Sequence, residues 1–295
     1  MKEAMFYTKQ DDKTVRCDLC PHQCVIACGK RGRCGMRQNK DNTLFAAGYG
    51  NLSSAHLDPI EKKPLFHFYP GSQIFSIGGW GCNFNCVFCQ NWTISQQINN
   101  PKTVIQPEAI IRETLACNAI GIAYTYNEPL INIEFLIDCA TLAKEKKLVN
   151  VLVTNGFVMP ESTEKVLPLI DALNIDIKSM EDDFYRKQCG GRLKPVLDFT
   201  EQCVRAGKHV EITNLVIPGL NDREELFESM AIWISEKLGR SIPLHLSAYH
   251  PDYKLSAPPT PYSVLKLAHR ICSSYLDYVY LGNVWGHGGE GENKG

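Results

Sequence analysis

From Gln73 onward the chain alternates short β-branched runs with longer stretches of helical periodicity, and no other feature restricts its fold as much. Strands are expected over Gln73–Ile77, Gly121–Tyr126, Val149–Thr154, Ala172–Ile177, Val210–Ile217, Leu244–Tyr249 and Tyr278–Leu281. Helical patterns fall between them, at Pro107–Cys117, Ile131–Lys147, Ser162–Ile170, Pro195–Ala206, Arg223–Leu238 and Thr260–Tyr275. Pro107 with Glu108, and Asn221 with Asp222 ahead of Glu224 and Glu225, are helix-start signals that place acidic groups at the positive end of the helix dipole. A repeated strand-helix alternation implies a parallel sheet, open or closed. The expected fold class is therefore α/β, a partial or full β/α (TIM-like) barrel in preference to a dinucleotide fold.

In either architecture, chemistry belongs at the carboxyl ends of the strands. Polar residues gather there: Gly78 to Gly81, Asn127 and Glu128, Thr154 to Gly156, Asp176 to Ser179, Pro218 and Gly219, and Tyr249 with His250. One such group is a cap or a turn residue; the same placement at six strand ends suggests a shared cleft. The organisation expected is a cysteine-rich module over 1–50, a connecting segment over 51–72, the barrel over 73–285 and a flexible tail over 286–295.

The 31 basic and 32 acidic side chains give a formal net charge of -1, which leaves no global field to gather nucleic acid or anionic lipid. The opening MKEAMFYTKQDDK is too polar for a signal peptide, and the apolar runs are too short to span a bilayer. A cytoplasmic protein without membrane partners is expected, and its thirteen cysteines then point to metal or cluster ligation before disulfides. Cys117, Cys139, Cys203 and Cys272 stand singly in helical segments and read as small buried hydrophobes.

Cys82, Cys86 and Cys89 are different, spaced C-x3-C-x2-C in GCNFNCVFCQNW. Three thiolates can hold three irons of a [4Fe-4S] cubane and leave the fourth open to a chelating small molecule. Glycines 78, 79 and 81 let the backbone approach closely. Zinc with a distant fourth ligand is the rival reading, although zinc spacings usually bring two-residue gaps in pairs.

CNFNCVFC after a first barrel strand resembles the signature of the radical S-adenosylmethionine (radical SAM) superfamily. DPIEKKPLFHFYPGS, YTYNEP, VTNGF, NIDIKSM and NLVIPGLND extend the likeness over about residues 15 to 285, to the radical SAM component of the AmmeMemoRadiSam system, a group similar to pyruvate formate-lyase-activating enzymes. The resemblance implies an enzyme with a [4Fe-4S] cluster and S-adenosyl-L-methionine as cofactors, which reductively cleaves SAM to a 5'-deoxyadenosyl radical for hydrogen abstraction. It also implies an electron donor such as flavodoxin or ferredoxin, and a protein substrate such as a glycyl-radical enzyme, or another substrate.

By the same resemblance, Asn127 and Glu128 meet the methionine ammonium, Lys178 reaches the SAM carboxylate and Asp176 organises that region. His250 lies near the ribose, and Ile217 packs the adenine. Thr154 and Asn155 hydrogen-bond the ribose or close a turn. Each has a plainer reading too: Glu128 as a helix cap, Asp176 and Lys178 as a rim ion pair, Ile217 as core, and the neighbouring His245 as barrel wall.

Cys17, Cys20, Cys24, Cys28 and Cys34, with His22 a weaker candidate, suggest a second iron-sulfur cluster or a structural zinc; the resemblance implies Cys17, Cys20, Cys24 and Cys34 as the ligands and leaves Cys28 supernumerary. The basic residues of that stretch raise a protein- or nucleic-acid-binding module as an alternative, but Asp11, Asp12, Asp18 and Asp41 dilute the patch, which disfavours nucleic acid. A further alternative is an iron-sulfur electron carrier, which gains little from an open iron. The stretch Asp58 to Ser72 reads as a linker with solvated charges.

Overall fold

The computed structural model describes residues 1–98 and 104–284; the tail expected to be flexible, 286–295, lies outside the described residues. The amino-terminal stretch forms two small antiparallel sheets. One joins β1 (Lys2–Glu3), β5 (Arg37–Lys40) and β6 (Thr43–Ala46); the other joins β2 (Tyr7–Lys9), β3 (Val15–Cys17) and β4 (Val25–Ile26). β5 and β6 pair from Lys40 with Thr43 outward, leaving Asp41 and Asn42 as a two-residue turn, both with positive φ (49° and 63°). A primed hairpin turn needs that conformation, and Asp and Asn tolerate it best after glycine.

β7 (Ser54–Pro59) then opens an eight-stranded sheet. It runs antiparallel to β8 (Gln73–Gly78), after which β9 (Gly121–Tyr124), β10 (Val149–Thr154), β11 (Ala172–Asp176), β12 (His209–Val216), β13 (Leu244–Ala248) and β14 (Val279–Gly282) follow in chain order, all parallel. β7 and β14 form the two edges, so the barrel is partial. The main connecting helices are α2 (Pro107–Ala116), α3 (Ile133–Glu145), α4 (Pro160–Val166), α6 (Leu193–Arg205), α7 (Glu224–Lys237) and α8 (Tyr262–Cys272), with α1 (Trp92–Ser95) and α5 (Asp182–Phe184) as single turns. α6 shows why these are helices: its buried residues Val196, Phe199, Thr200 and Cys203 recur at the spacing of one helical face. β9 is buried along its whole length, as a parallel strand covered on both faces should be. Cys139, Cys203 and Cys272 are fully buried, whereas Cys117 is only half-buried.

The stretch expected to be a solvated linker is instead an edge strand followed by a plug. After β7 the chain makes a 3-10 turn at Ile60–Lys62 and crosses the amino-terminal end of the barrel. Ile60 and Leu65 pack with Ile74, Ala123, Val151 and Ala172 there. Asn174 of β11 donates to the Pro64 carbonyl at 2.8 Å, and the backbone N–H groups of Phe66 and His67 donate to Glu211 of β12 at 3.0 and 2.8 Å. Lys63, 1% exposed, bonds Asp58 at 2.7 Å and lies 4.5 Å from the Tyr126 ring centre, while the Tyr126 hydroxyl also donates to Asp58. Its charge is paired in the interior, the condition on which a buried lysine is tolerated.

Candidate active site

The three-cysteine loop leaves the carboxyl end of β8 through Gly81, whose φ is +78°. A Cβ there would lie 2.2 Å from the Cys34 carbonyl oxygen, so the loop and the amino-terminal module meet only because this residue is glycine. Asn127 clips the turn, accepting from Gly79 N–H and donating to Gly81 C=O, both at 2.9 Å. Cys82 Sγ accepts from Phe84 N–H at 3.4 Å and from the Asn155 side-chain amide at 3.7 Å. The same amide donates to Asn83 Oδ1 at 2.9 Å, and Asn83 donates onward to Phe157 C=O at 2.7 Å.

Glu128 follows β9 and is 2% exposed. One oxygen takes Leu130 N–H at 3.0 Å and the Thr154 hydroxyl at 2.8 Å, and the other takes Asn155 N–H at 2.8 Å. It thus caps the 3-10 turn at Pro129–Asn132 and ties the ends of β9 and β10 together. Burial pushes its carboxyl up to about 7, against the pull of those three donors.

On the far side of the loop, Asn85 N–H bonds Cys189 C=O and Val87 N–H bonds Gln188 C=O, each at 2.9 Å, which brings Cys189 against Cys86. The Cys189 thiol beside it, with Lys178 assisting, holds Cys86 below the usual thiol value despite burial, whereas burial raises Cys82 and Cys89. Lys178 pairs with Asp176 at 3.1 Å, and its backbone N–H bonds the Tyr185 hydroxyl at 2.9 Å. Phe84, Phe157 and Tyr185 form an aromatic wall, with ring centres 4.9 Å apart for Phe84 and Phe157 and 5.9 Å for Phe84 and Tyr185.

Cys82, Cys86, Cys89, Asn127, Glu128, Thr154, Asn155, Asp176 and Lys178 therefore belong to one neighbourhood at the carboxyl ends of β8 to β11. Ile217 is fully buried among core side chains, and its N–H bonds Asn221 Oδ1 at 2.6 Å. His250 is exposed just beyond β13. His245 is barrel wall, bonding Glu211 at 2.6 Å. Sequence reasoning missed Asn83, Cys189 and Tyr185. Asn83 lies inside the loop and is revealed by its bonds with Asn155 and Phe157, while Cys189 and Tyr185 are revealed by the fold bringing their segment against the loop, and no spacing rule carries either signal.

A second thiol group lies behind the loop. Cys17, Cys20, Cys24 and Cys34 line one cavity, which Asn83 also walls. Burial pushes Cys17 up to about 11 and Cys20 up to about 12. His22 bonds Asn83 C=O through Nε2 at 2.8 Å and packs its ring 5.1 Å from Phe157. Cys28 is exposed, 3.9 Å from Asp41.

Among the described residues, no three His, Cys, Asp or Glu side chains are grouped so as to hold a metal ion as they stand. The chemistry of the loop's donor set nevertheless fits an anionic iron-sulfur cluster: three thiols, N–H donors to sulfur and an ammonium close by. No described helix is long and apolar enough to cross a membrane.

The sequence pattern of the radical SAM superfamily matches residues 77–230. An uncharacterized protein of Methanocaldococcus jannaschii is 47% identical over 297 residues, covering 99% of this chain and 88% of its own. The pyruvate formate-lyase-activating enzyme of Streptococcus mutans is 28% identical over 156 residues, which covers 49% of this chain and 59% of that enzyme. In fold, a radical SAM methyltransferase from Sphaerobacter thermophilus is similar with a TM-score of 0.58 at 15% identity, covering 72% of this chain and 67% of that one. Streptococcus suis SuiB bound to S-adenosylmethionine has a TM-score of 0.55 at 12% identity, covering 70% and 49%.

Proposed function

The chain belongs to the radical SAM superfamily, and on that premise we propose that it is a cytoplasmic enzyme, the radical SAM component of an AmmeMemoRadiSam system. In this reading it cleaves S-adenosylmethionine reductively and abstracts a hydrogen atom from its substrate. The observation that carries this reading is the convergence of Cys82, Cys86 and Cys89 with a buried acid, Glu128, and a cation, Lys178, at the carboxyl end of one partial barrel. Cys82, Cys86 and Cys89 would hold a [4Fe-4S] cluster, which supplies the electron that splits the sulfonium to methionine and a 5'-deoxyadenosyl radical.

The protein's own share is placement. A carboxylate offers about four acceptor positions and Glu128 uses three, which leaves one for the methionine ammonium. Lys178, steadied by Asp176, faces the methionine carboxylate, and Asn155 holds Cys82 while Thr154 fixes Glu128. The aromatic wall of Phe84, Phe157 and Tyr185 excludes water from the radical's surroundings. His250 belongs to the ribose side as a rim group, whereas Ile217, fully buried in the core, supports that side from beneath. A flavodoxin- or ferredoxin-type carrier is the electron donor. The partial likeness to activating enzymes supports a glycyl-radical protein as the substrate.

The test is anaerobic reconstitution. The reduced protein should change its paramagnetic resonance spectrum when SAM is added and should release 5'-deoxyadenosine, and Cys86→Ala should lose both. A wild-type spectrum indifferent to SAM would sink the reading.

A further inference from the structure

Arg37 is 1% exposed, and its Nε and Nη2 have no hydrogen-bond partner among the described residues. Glu134 accepts only its Nη1, at 2.6 Å. Buried guanidinium donors left unmade cost more than neutral ones, so their surroundings should contain an acceptor. What Arg37 lines is the cavity of Cys17, Cys20, Cys24 and Cys34. Four metal-bound thiolates carry net negative charge, and thiolate and sulfide sulfurs accept N–H bonds that tune their potential.

Four thiols lining one cavity suit either a zinc or a cubane, and the two differ in what they offer their neighbours. A cubane adds sulfide acceptors for the donors of Arg37, and it exchanges single electrons, which redox-inert zinc does not. The cavity also shares a wall with the catalytic loop. Asn83 lines it, follows Cys82 in sequence and stands 3.8 Å from that thiol through Oδ1, while His22 bonds its carbonyl.

We propose that Cys17, Cys20, Cys24 and Cys34 hold a second, fully ligated iron-sulfur cluster, that Arg37 donates hydrogen bonds to it, and that it passes electrons to the catalytic loop by way of the His22–Asn83–Cys82 contact. The relay rests on the radical SAM reading. A one-electron carrier of the flavodoxin or ferredoxin class reduces the amino-terminal cluster, which is reoxidised as the loop's cluster takes the electron; no bond is made or broken.

Three measurements on the full chain decide it. After anaerobic reconstitution, the Cys82→Ala, Cys86→Ala, Cys89→Ala triple variant should hold about four irons and four sulfides and show a reducible signal that ignores SAM. Zinc alone, no metal, or a centre that resists reduction overturns the proposal. The triple variant has no SAM site, so this outcome is independent of the wild-type SAM response that tests the enzyme reading. In the fully reduced wild type, the resonance signal should be broadened relative to the sum of the triple variant's spectrum and that of a Cys20→Ala, Cys24→Ala variant, because the two spins lie close. A spectrum equal to that sum removes the relay. Arg37→Lys, which keeps a positive charge for Glu134 but loses the free planar donors, should move the amino-terminal cluster to a more negative potential; an unchanged potential removes Arg37 from the site.

Discussion

Two buried glutamates occupy opposite ends of the same barrel and have opposite acidities. Glu128, at the carboxyl end, is pushed up to about 7 by burial, and its three donors are two backbone N–H groups and a hydroxyl. Glu211, near the amino end, is equally dry but held down to about 2; burial works against its charge, and His209 at 2.9 Å, His245 at 2.6 Å and two backbone N–H groups of the plug outweigh it. Burial is common to both, so the difference lies in the partners. The floor of the barrel is a completed network, whereas among the described residues no cation pairs with the acid at the roof, the place that the proposed function gives to a ligand's ammonium.

The largest effect should come from breaking the completed end. Glu211→Gln strips the anion from two imidazoles and the plug, and anaerobic chemical denaturation should register a loss of about 3–5 kcal/mol. Retention of full stability would mean that the floor network is dispensable and the contrast empty.

The two acids should also give opposite slopes of stability with pH. Glu211 has a folded value below its unfolded one of about 4.5, so its contribution is present above about pH 4.5 and is lost as pH falls toward about 2, a change of about 3 kcal/mol. Glu128 has a folded value above its unfolded one, so the folded state favours the neutral acid. Stability should therefore fall, by up to about 3 kcal/mol, as pH rises from about 4.5 to about 7. Denaturation profiles of Glu211→Gln and Glu128→Gln should each lack only their own slope.

A smaller effect is expected on ligand affinity. Lys178→Ala and Glu128→Gln should keep near-normal iron and sulfide in the catalytic loop but weaken SAM binding by about 1.5–3 kcal/mol each. Wild-type affinity should rise as pH passes through about 7 and Glu128 ionises. Equilibrium binding at several pH values checks both points, and a flat profile would take Glu128 away from the ammonium. The smallest change should be Lys62→Ala: this lysine bonds Asp58 at 2.8 Å, but its side chain is 62% exposed, so the loss should stay below about 1 kcal/mol beside its buried neighbour Lys63.

The sequence made the barrel legible because strand and helix periods are local. β10 begins and ends at the expected residues, and the other parallel strands differ from expectation by one or two, whereas the antiparallel edge strand β7 was not expected. The cysteine loop was legible from spacing, and the strand-end polar residues from their repetition. What stayed hidden depends on distant partners. The plug's charges look solvated until Glu211 is placed about 145 positions away from Phe66, and Arg37 looks like a surface cation until Glu134, 97 positions on, is folded beneath it. Cys189 carries no local signal, because the bonds from Asn85 and Val87 that fix its segment span about a hundred residues.

Those long spans set an order of assembly. As the chain is synthesised, the plug emerges well before β12, so the backbone N–H groups of Phe66 and His67 wait for an acceptor that is made later. The floor therefore closes only after the first four parallel strands have been synthesised, and long-range closure of this kind slows folding. Throughout that interval Cys82, Cys86 and Cys89 are already outside the ribosome while Cys189 and its flanking turn follow far behind. The nascent chain thus carries uncovered thiols for much of its synthesis, which makes the timing of iron-sulfur delivery and the availability of oxygen matters of biogenesis as much as of catalysis.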